Sequence, residues 1–319
     1  MSKVNVNEKI CGVGYIPMYS VKDLESAQWV ISELNEKKIE VAMFLTEDYD
    51  ALSKIVEACP ETVIGAASVA CAGCFKLATD AGAKFVVSPC FDEKIAEKAN
   101  ENDILYMPIC QSFAEISSAL KNGIETVSYY PSLCGGVASL EIIARHFPKA
   151  KLIVMGESEV SVMGSVMTKT YVSALGIYRG IPETEDFADA DKFIADAEKA
   201  VTGYETYHIG INTPSSEDAF ALATELNKLL DLPIKKGPTG NFFVGKDIEV
   251  MKSFYRGTNG HIAIRTNSVD CAMYRFAKKG YKWAMDTAWY VEDGSILTVY
   301  IDEATEFGGF ALHLLQKKI

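Results

Sequence analysis

Four histidines occur in the chain, and three of them fall after residue 200. His208 sits in Tyr-His-Ile-Gly-Ile-Asn, His261 in Gly-His-Ile-Ala-Ile-Arg, and His313 in Gly-Phe-Ala-Leu-His-Leu-Leu-Gln. Each run reads as a β-strand, rich in β-branched and other apolar residues. Glu249, in Asp-Ile-Glu-Val-Met, lies in another such run. A single strand histidine is most often half-buried and satisfied by hydrogen bonds. Here His208 and His261 hold the same place in two successive repeats, and Glu249 and His313 each fall in the last strand of a repeat. Equivalent places in two repeats can converge on one centre, and imidazole and carboxylate suit divalent Zn, Fe, Ni or Mn.

A second group is sulfur. Cys71, Cys74, Cys90, Cys110 and Cys134 follow or end successive strand-like runs, and Cys71-Ala-Gly-Cys74 is a CxxC pair. Such thiolates can hold zinc or an iron–sulfur cluster, or form a redox pair. They can equally be small buried residues. Of eight cysteines in all, free thiols or metal ligands are expected rather than disulfides, because the chain is expected to be cytoplasmic.

The elements that must carry these groups fall into two styles. Strand candidates at Gly12–Met18, Glu40–Leu45, Thr62–Ser68, Phe85–Pro89, Ile104–Cys110, Thr126–Tyr130, Lys151–Met155 and Ala174–Tyr178 alternate with stretches of helical length. Strand–helix alternation implies a parallel sheet, and eight repeats imply a closed (β/α)8 TIM barrel, with a doubly wound open sheet as the alternative. Residues 182–202 break the pattern with an acidic, alanine-rich stretch that reads as a linker with one solvated helix. From Tyr204 the order is strand, helix, strands, and from Gly260 it restarts, so this half is an internal repeat. The expected architecture is α/β: a barrel over residues 1–181, a linker over 182–202, and an α+β domain over 203–319.

Bulk properties narrow the function. The 319 residues suffice for two cores. Apolar and charged shares of 49% and 23% are those of a globular protein. A net charge of −12 disfavours nucleic acid as a partner. No apolar run is long enough to span a membrane, and the first residues have no apolar core of the signal-peptide kind.

The segment from about Tyr204 to Gln316 resembles the vicinal-oxygen-chelate superfamily, which includes glyoxalase I and the extradiol dioxygenases. The resemblance implies two βαβββ modules, with one metal ligand from the first and last strand of each. The matching positions are His208, Glu249, His261 and His313. The last is usually glutamate in the family, so the set here is three histidines and one carboxylate, around a divalent ion whose identity (Fe, Mn, Ni or Zn) stays open. In that superfamily the ion acts as a Lewis acid toward two neighbouring substrate oxygens, and Glu249 is the implied base. Lys246, Arg256 and Arg265 can hold a carboxylate, or are solvated charges.

Residues from about Gly12 to Pro182 are similar to the 2-keto-3-deoxy-6-phosphogluconate and 4-hydroxy-2-oxoglutarate aldolases. The segments that carry this are Ile-Glu-Val-Ala-Met (39–43), Ile-Gly-Ala-Ala-Ser (64–68), Gly-Ala-Lys-Phe-Val-Val-Ser-Pro (82–89), Tyr-Met-Pro-Ile-Cys (106–110) and Ser-Tyr-Tyr-Pro (128–131). The family's Schiff-base lysine begins a Lys-Phe-Phe-Pro motif, and Ser128 stands in that place. A serine forms no imine. The family's acid/base glutamate is retained as Glu40, and the arginine expected after it is Phe44. The glycine-serine that grips a phosphate reads Gly-Ile-Tyr-Arg-Gly, and the Thr-Gly-Gly after the seventh strand reads Met155-Gly156-Glu157. Glu40, Ser68, Ser88, Gln111, Ser128 and Glu157 are expected to line the barrel mouth, as binding or proton-transfer groups.

The resulting expectation is a metal-dependent lyase, isomerase or dioxygenase acting on a small oxo or hydroxy acid, fused to a degenerate aldolase-like barrel. The alternatives are a bifunctional aldolase with a non-standard site and a non-enzymatic oxo-acid-binding protein. Both resemblances imply a homo-oligomer.

Overall fold

The computed structural model describes residues 1–156, 159–180, 189–291 and 294–317. Glu157 and residues 181–188, the first part of the acidic stretch, lie outside the described residues. The contacts divide the chain into two compact units, Met1–Val201 and Thr202–Ile319.

In the first unit, α1 (Lys3–Val13) precedes β1 (Tyr15–Ser20), α2 (Leu24–Glu36), β2 (Val41–Leu45), α3 (Tyr49–Ala58), β3 (Val63–Ala67), α4 (Ala72–Asp80), β4 (Phe85–Val86) and α5 (Glu93–Glu101). It continues with β5 (Leu105–Tyr106), α6 (Phe113–Lys121), β6 (Thr126–Tyr129), α7 (Ala138–His146), β7 (Lys151–Met155), α8 (Val160–Met167), β8 (Val172–Gly180) and α9 (Ala190–Thr202). The eight strands are parallel, in the order β5-β4-β3-β2-β1-β8-β7-β6. An isolated parallel bridge between Ile109 and Ser128 joins the two ends, so the sheet is a nearly closed barrel.

The expected strand at Gly12–Met18 begins later. Gly12 and Val13 end α1, Gly14 caps it at φ 77°, and β1 starts at Tyr15. β4 and β5 are shorter than expected because Pro89 and Pro108 have no N–H to give a ladder. The interior is tightly filled: a Cβ on Gly65 would stand 2.1 Å from the Phe85 ring. Around the barrel, Arg179 of β8 makes a two-pronged ion pair with Glu33 of α2 at 2.9 and 3.0 Å, and Tyr19 donates to the same carboxylate at 2.8 Å. Phe193 of α9 lies under that guanidinium at 5.1 Å.

The second unit holds β9 (Glu205–Asn212), α10 (Ser216–Leu230), β10 (Ile234–Lys236), β11 (Phe242–Val244) and β12 (Ile248–Met251). The order then repeats as β13 (Gly260–Thr266), α11 (Val269–Lys278), β14 (Trp283–Tyr290), β15 (Ile296–Ile301) and β16 (Phe310–Gln316). These are two βαβββ modules in one mixed sheet, ordered β10-β11-β12-β9-β13-β16-β15-β14. The first strands of the modules meet antiparallel at the centre, and each is flanked by the parallel last strand of its own module. Each module closes its helix over a small core, Ala219, Ala223, Val244 and Val250 in one and Val269, Ala272, Val299 and Leu314 in the other.

Candidate functional site

The central four strands of the second unit bring His208, Glu249, His261 and His313 onto one face. Register fixes this. Glu249 and His261 both pair with Gly210, while His208 and His313 both pair with Ala263. Gly210 and Ala263 thus occupy equivalent places two residues beyond the two module-opening histidines, and side chains alternate faces with period two. A Cβ at Gly210 would stand 2.1 Å from the His261 ring. Only glycine lets that ring lie across β9.

The four side chains are buried. His208 Nε2 and His261 Nε2 are 2.9 Å apart. Glu249 Oε2 is 3.1 Å from the first and 3.3 Å from the second. The three histidines offer ligand atoms that all lie within 4.8 Å of one another. Two donors each about 2.1 Å from one ion stand about 3 Å apart, so this donor set fits a single divalent cation. His313 Nδ1 is 3.0 Å from Thr298 Oγ1, which fixes the ring and leaves Nε2 without a protein partner. Asn241 donates to Glu249 Oε1 at 2.8 Å and holds the carboxylate's other oxygen toward the histidines.

The electrostatics favour the ligating form of Glu249 and His313. Burial pushes the Glu249 carboxyl up, but hydrogen bonds from His208, His261 and Asn241 outweigh it and hold the group well below the usual carboxylate range. Burial, reinforced by His261 and His208, holds His313 far below the usual imidazole value, and hence neutral.

The four residues line a cavity of about 710 Å³ whose other walls include Phe243, Trp289, Leu297 and Tyr300. Tyr300 stacks on His313 with centroids 4.5 Å apart. The β9–β13 ladder slips between Ala263 and Ile264, leaving Tyr207 as an extra residue between His208 and Thr206. Such a bulge re-aims a side chain, and Tyr207 lines the cavity beside His208. The Arg265 guanidinium lies 3.4 Å from the centre of the Tyr207 ring, also in the cavity wall. Arg256 is committed elsewhere, to Asp286 and Glu303. Lys246 is not among the lining residues.

The barrel residues are placed differently. Glu40 precedes β2, at the N-terminal end of the barrel, with Lys9 of α1 3.8 Å away. It shares strand parity with Phe44, which stacks on Tyr19, whose hydroxyl reaches Glu33 of α2. Glu40 therefore does not line the C-terminal mouth, where such barrels hold their sites. Ser128 is fully buried and donates to the Met107 carbonyl at 3.1 Å. Ser88 is buried against the Tyr106 hydroxyl and the Cys90 carbonyl. Ser68 follows β3 at the mouth, exposed and at φ 61°. Gln111 follows β5, and its amide atoms are buried without a protein partner. The expectation of free cysteines fails at one place: Cys71 and Cys74 are joined as a disulfide. Their Cα atoms are 5.1 Å apart across the first turn of α4, within bridging reach.

The first unit is thus a parallel β/α barrel of aldolase architecture. Residues 6–176 match the family model for KDPG and KHG aldolase, and the chain belongs to that family. It is 25% identical over 177 residues to a 2-dehydro-3-deoxy-phosphogluconate aldolase of Treponema pallidum, covering 54% of this chain and 84% of that protein. It is 25% identical over 193 residues to the KHG/KDPG aldolase of Escherichia coli K12, covering 59% and 91%. In architecture it is similar to the 2-keto-3-deoxy-6-phosphogluconate aldolase of Zymomonas mobilis ZM4, with a TM-score of 0.54 at 20% identity, over 62% of this chain and 94% of that one. Among the described residues, no helix is long and apolar enough to cross a membrane.

Proposed function

We propose that the second unit is a metal-dependent enzyme centre of the vicinal-oxygen-chelate kind, acting on a small oxo or hydroxy acid. The observation that carries this is the convergence of three buried histidines and one carboxylate, from four strands of a repeated module, on the floor of a cavity. His208, His261 and His313 Nε2 with Glu249 Oε2 would hold a divalent Fe, Mn, Ni or Zn ion. Such an ion supplies Lewis-acid polarisation of two neighbouring substrate oxygens.

The chain's own groups do the rest. Arg265, held flat by Tyr207, anchors the substrate carboxylate. The aromatic walls exclude water from the reacting end. To act as the base, Glu249 would first give up its place on the ion and then accept at Oε2 a proton from the substrate carbon, while Asn241 holds Oε1. The reaction class is accordingly lyase, isomerase or dioxygenase.

The test is metal content by mass spectrometry of untagged protein, wild type and His208→Ala/His261→Ala. About one ion per chain, lost in the double variant, is the expected result. A wild type that takes up none of the four ions defeats the reading. Light scattering tests the accompanying expectation of a homo-oligomer.

Family membership favours a second reading, a bifunctional aldolase whose barrel also cleaves carbon–carbon bonds. Ser128 in place of the lysine requires that such a site work without an imine. A borohydride-trapped pyruvate adduct on the wild-type protein would show that another lysine serves.

A further inference from the structure

We propose that Cys71 and Cys74 form a thiol–disulfide exchange centre at the rim of the barrel mouth, with disulfides of low-molecular-weight thiols as its substrates. The proposal stands apart from the metal reading, because it uses only the first unit.

Four observations carry it. The two cysteines are bonded to each other across Ala72 and Gly73. Cys71 is the N-cap of α4, a helix of nine residues, and its Sγ accepts the Cys74 N–H at 3.0 Å. That amide and the helix N-terminus stabilise negative charge on Sγ of Cys71, which favours its thiolate. Cys71 is exposed and Cys74 half-buried, so an incoming sulfur reaches Cys71 first. A Cβ on Gly73 would meet only Cys71 Sγ, at 3.6 Å, so the approach is open.

The competing readings of the cysteine group are weaker. Zinc and iron–sulfur sites need several converging thiolates. Among the described residues, the one group of three or more candidate ligand atoms that converges is the histidine set. Cys110 is fully buried, and burial pushes its thiol up to about 12, which removes it as a nucleophile.

The chemistry balances with a thiol of the glutathione class as co-reactant. A thiolate attacks Cys71 Sγ, forming a mixed disulfide, and the Cys71–Cys74 bond breaks with its electron pair on Cys74 Sγ, which takes a proton from solvent. A second thiolate attacks the bound thiol's sulfur, frees Cys71 as a thiolate, and leaves as the small disulfide. The pair is reduced by two electrons and two thiols are oxidised to one disulfide. In reverse, Cys71 attacks the small disulfide and Cys74 resolves the adduct.

The test is a redox titration of the full chain in mixtures of reduced and oxidised glutathione, quenched in acid, alkylated and mapped by mass spectrometry. The expected result is one two-electron transition confined to Cys71 and Cys74. Cys74→Ser should retain one glutathione on Cys71, and Cys71→Ser should take up glutathione at least about tenfold more slowly. A wild-type pair that stays fully reduced in excess oxidised glutathione overturns the proposal, with no variant needed. So does a Cys74→Ser adduct that sits on Cys90 rather than Cys71.

Discussion

The barrel mouth and the histidine floor differ in what the scaffold has done with their polar groups. In the barrel, Ser128 is bonded to the Met107 carbonyl, Ser88 to Tyr106, and Arg179 to Glu33. Those side chains are spent on holding strands and helices together, whereas the Gln111 amide is left without a protein partner. In the second unit His313 presents Nε2, without a protein partner, to a cavity, and Asn241 and Thr298 hold their neighbours in position rather than saturating them. A residue type capable of chemistry marks a site when the fold leaves its reacting atom open. Where the fold has closed it, the residue is structural.

The comparison can be broken at several points. The largest effect is expected at the buried ion pair: Arg179→Met should leave Glu33 uncompensated and cost about 3–5 kcal/mol in denaturant unfolding, with metal content per folded chain unchanged. Loss of metal on that substitution would mean that the barrel and the histidine floor are not independent. Gly210→Ala should force the His261 ring off β9. Metal affinity should fall by about 100-fold, the upper range for disturbed ligand orientation, while the circular dichroism stays native. Asn241→Ala, which frees one carboxylate oxygen, should cost about 10-fold in metal affinity by the same competition assay. Ser128→Ala should cost only about 1 kcal/mol, the worth of one hydrogen bond. Any larger loss of a measured barrel activity would show Ser128 to be more than a strand tie.

A further effect concerns pH. Cys110 keeps its proton up to about 12 in the folded barrel, whereas an unfolded thiol loses it near 8.5. The unfolded chain therefore binds fewer protons above about pH 8.5, and barrel stability falls as pH rises from there. Cys110→Ala should flatten that slope in melts between pH 8 and 10.

The eight parallel strands were readable from spacing, because each apolar run is followed by a helix of adequate length. The second unit's repeat was readable because its two histidine segments look alike. Other features needed coordinates. α1 carries Val6, Ile10 and Val13 at helical spacing, a signal present in the sequence but masked by polar neighbours. Glu40 shows that a motif match fixes a residue and not its surroundings: its place before β2, at the N-terminal end of the barrel beside Lys9, keeps it from the mouth. Gly210 had a signal, a lone glycine inside an apolar strand, which marks close approach by another group. Arg265 looked like any surface cation until the bulge at Tyr207 turned an aromatic ring beneath it. The buried pairing of Arg179 and Glu33 links residues 146 positions apart, beyond the reach of any local pattern.

The barrel's closure has a consequence of its own. Between β5 and β6 the cylinder is stitched at Ser128, whose N–H reaches the Pro108 carbonyl at 2.8 Å and whose carbonyl receives the Cys110 N–H at 2.9 Å. Pro108, lacking an N–H, can add no donor to that stitch. A wall held so locally is the one expected to open first. In deuterated water the amides of Cys110 and Ser128 would trade their protons ahead of those in β1 and β2, which are laddered on both sides. Ser128 thus carries both backbone hydrogen bonds of that local seam.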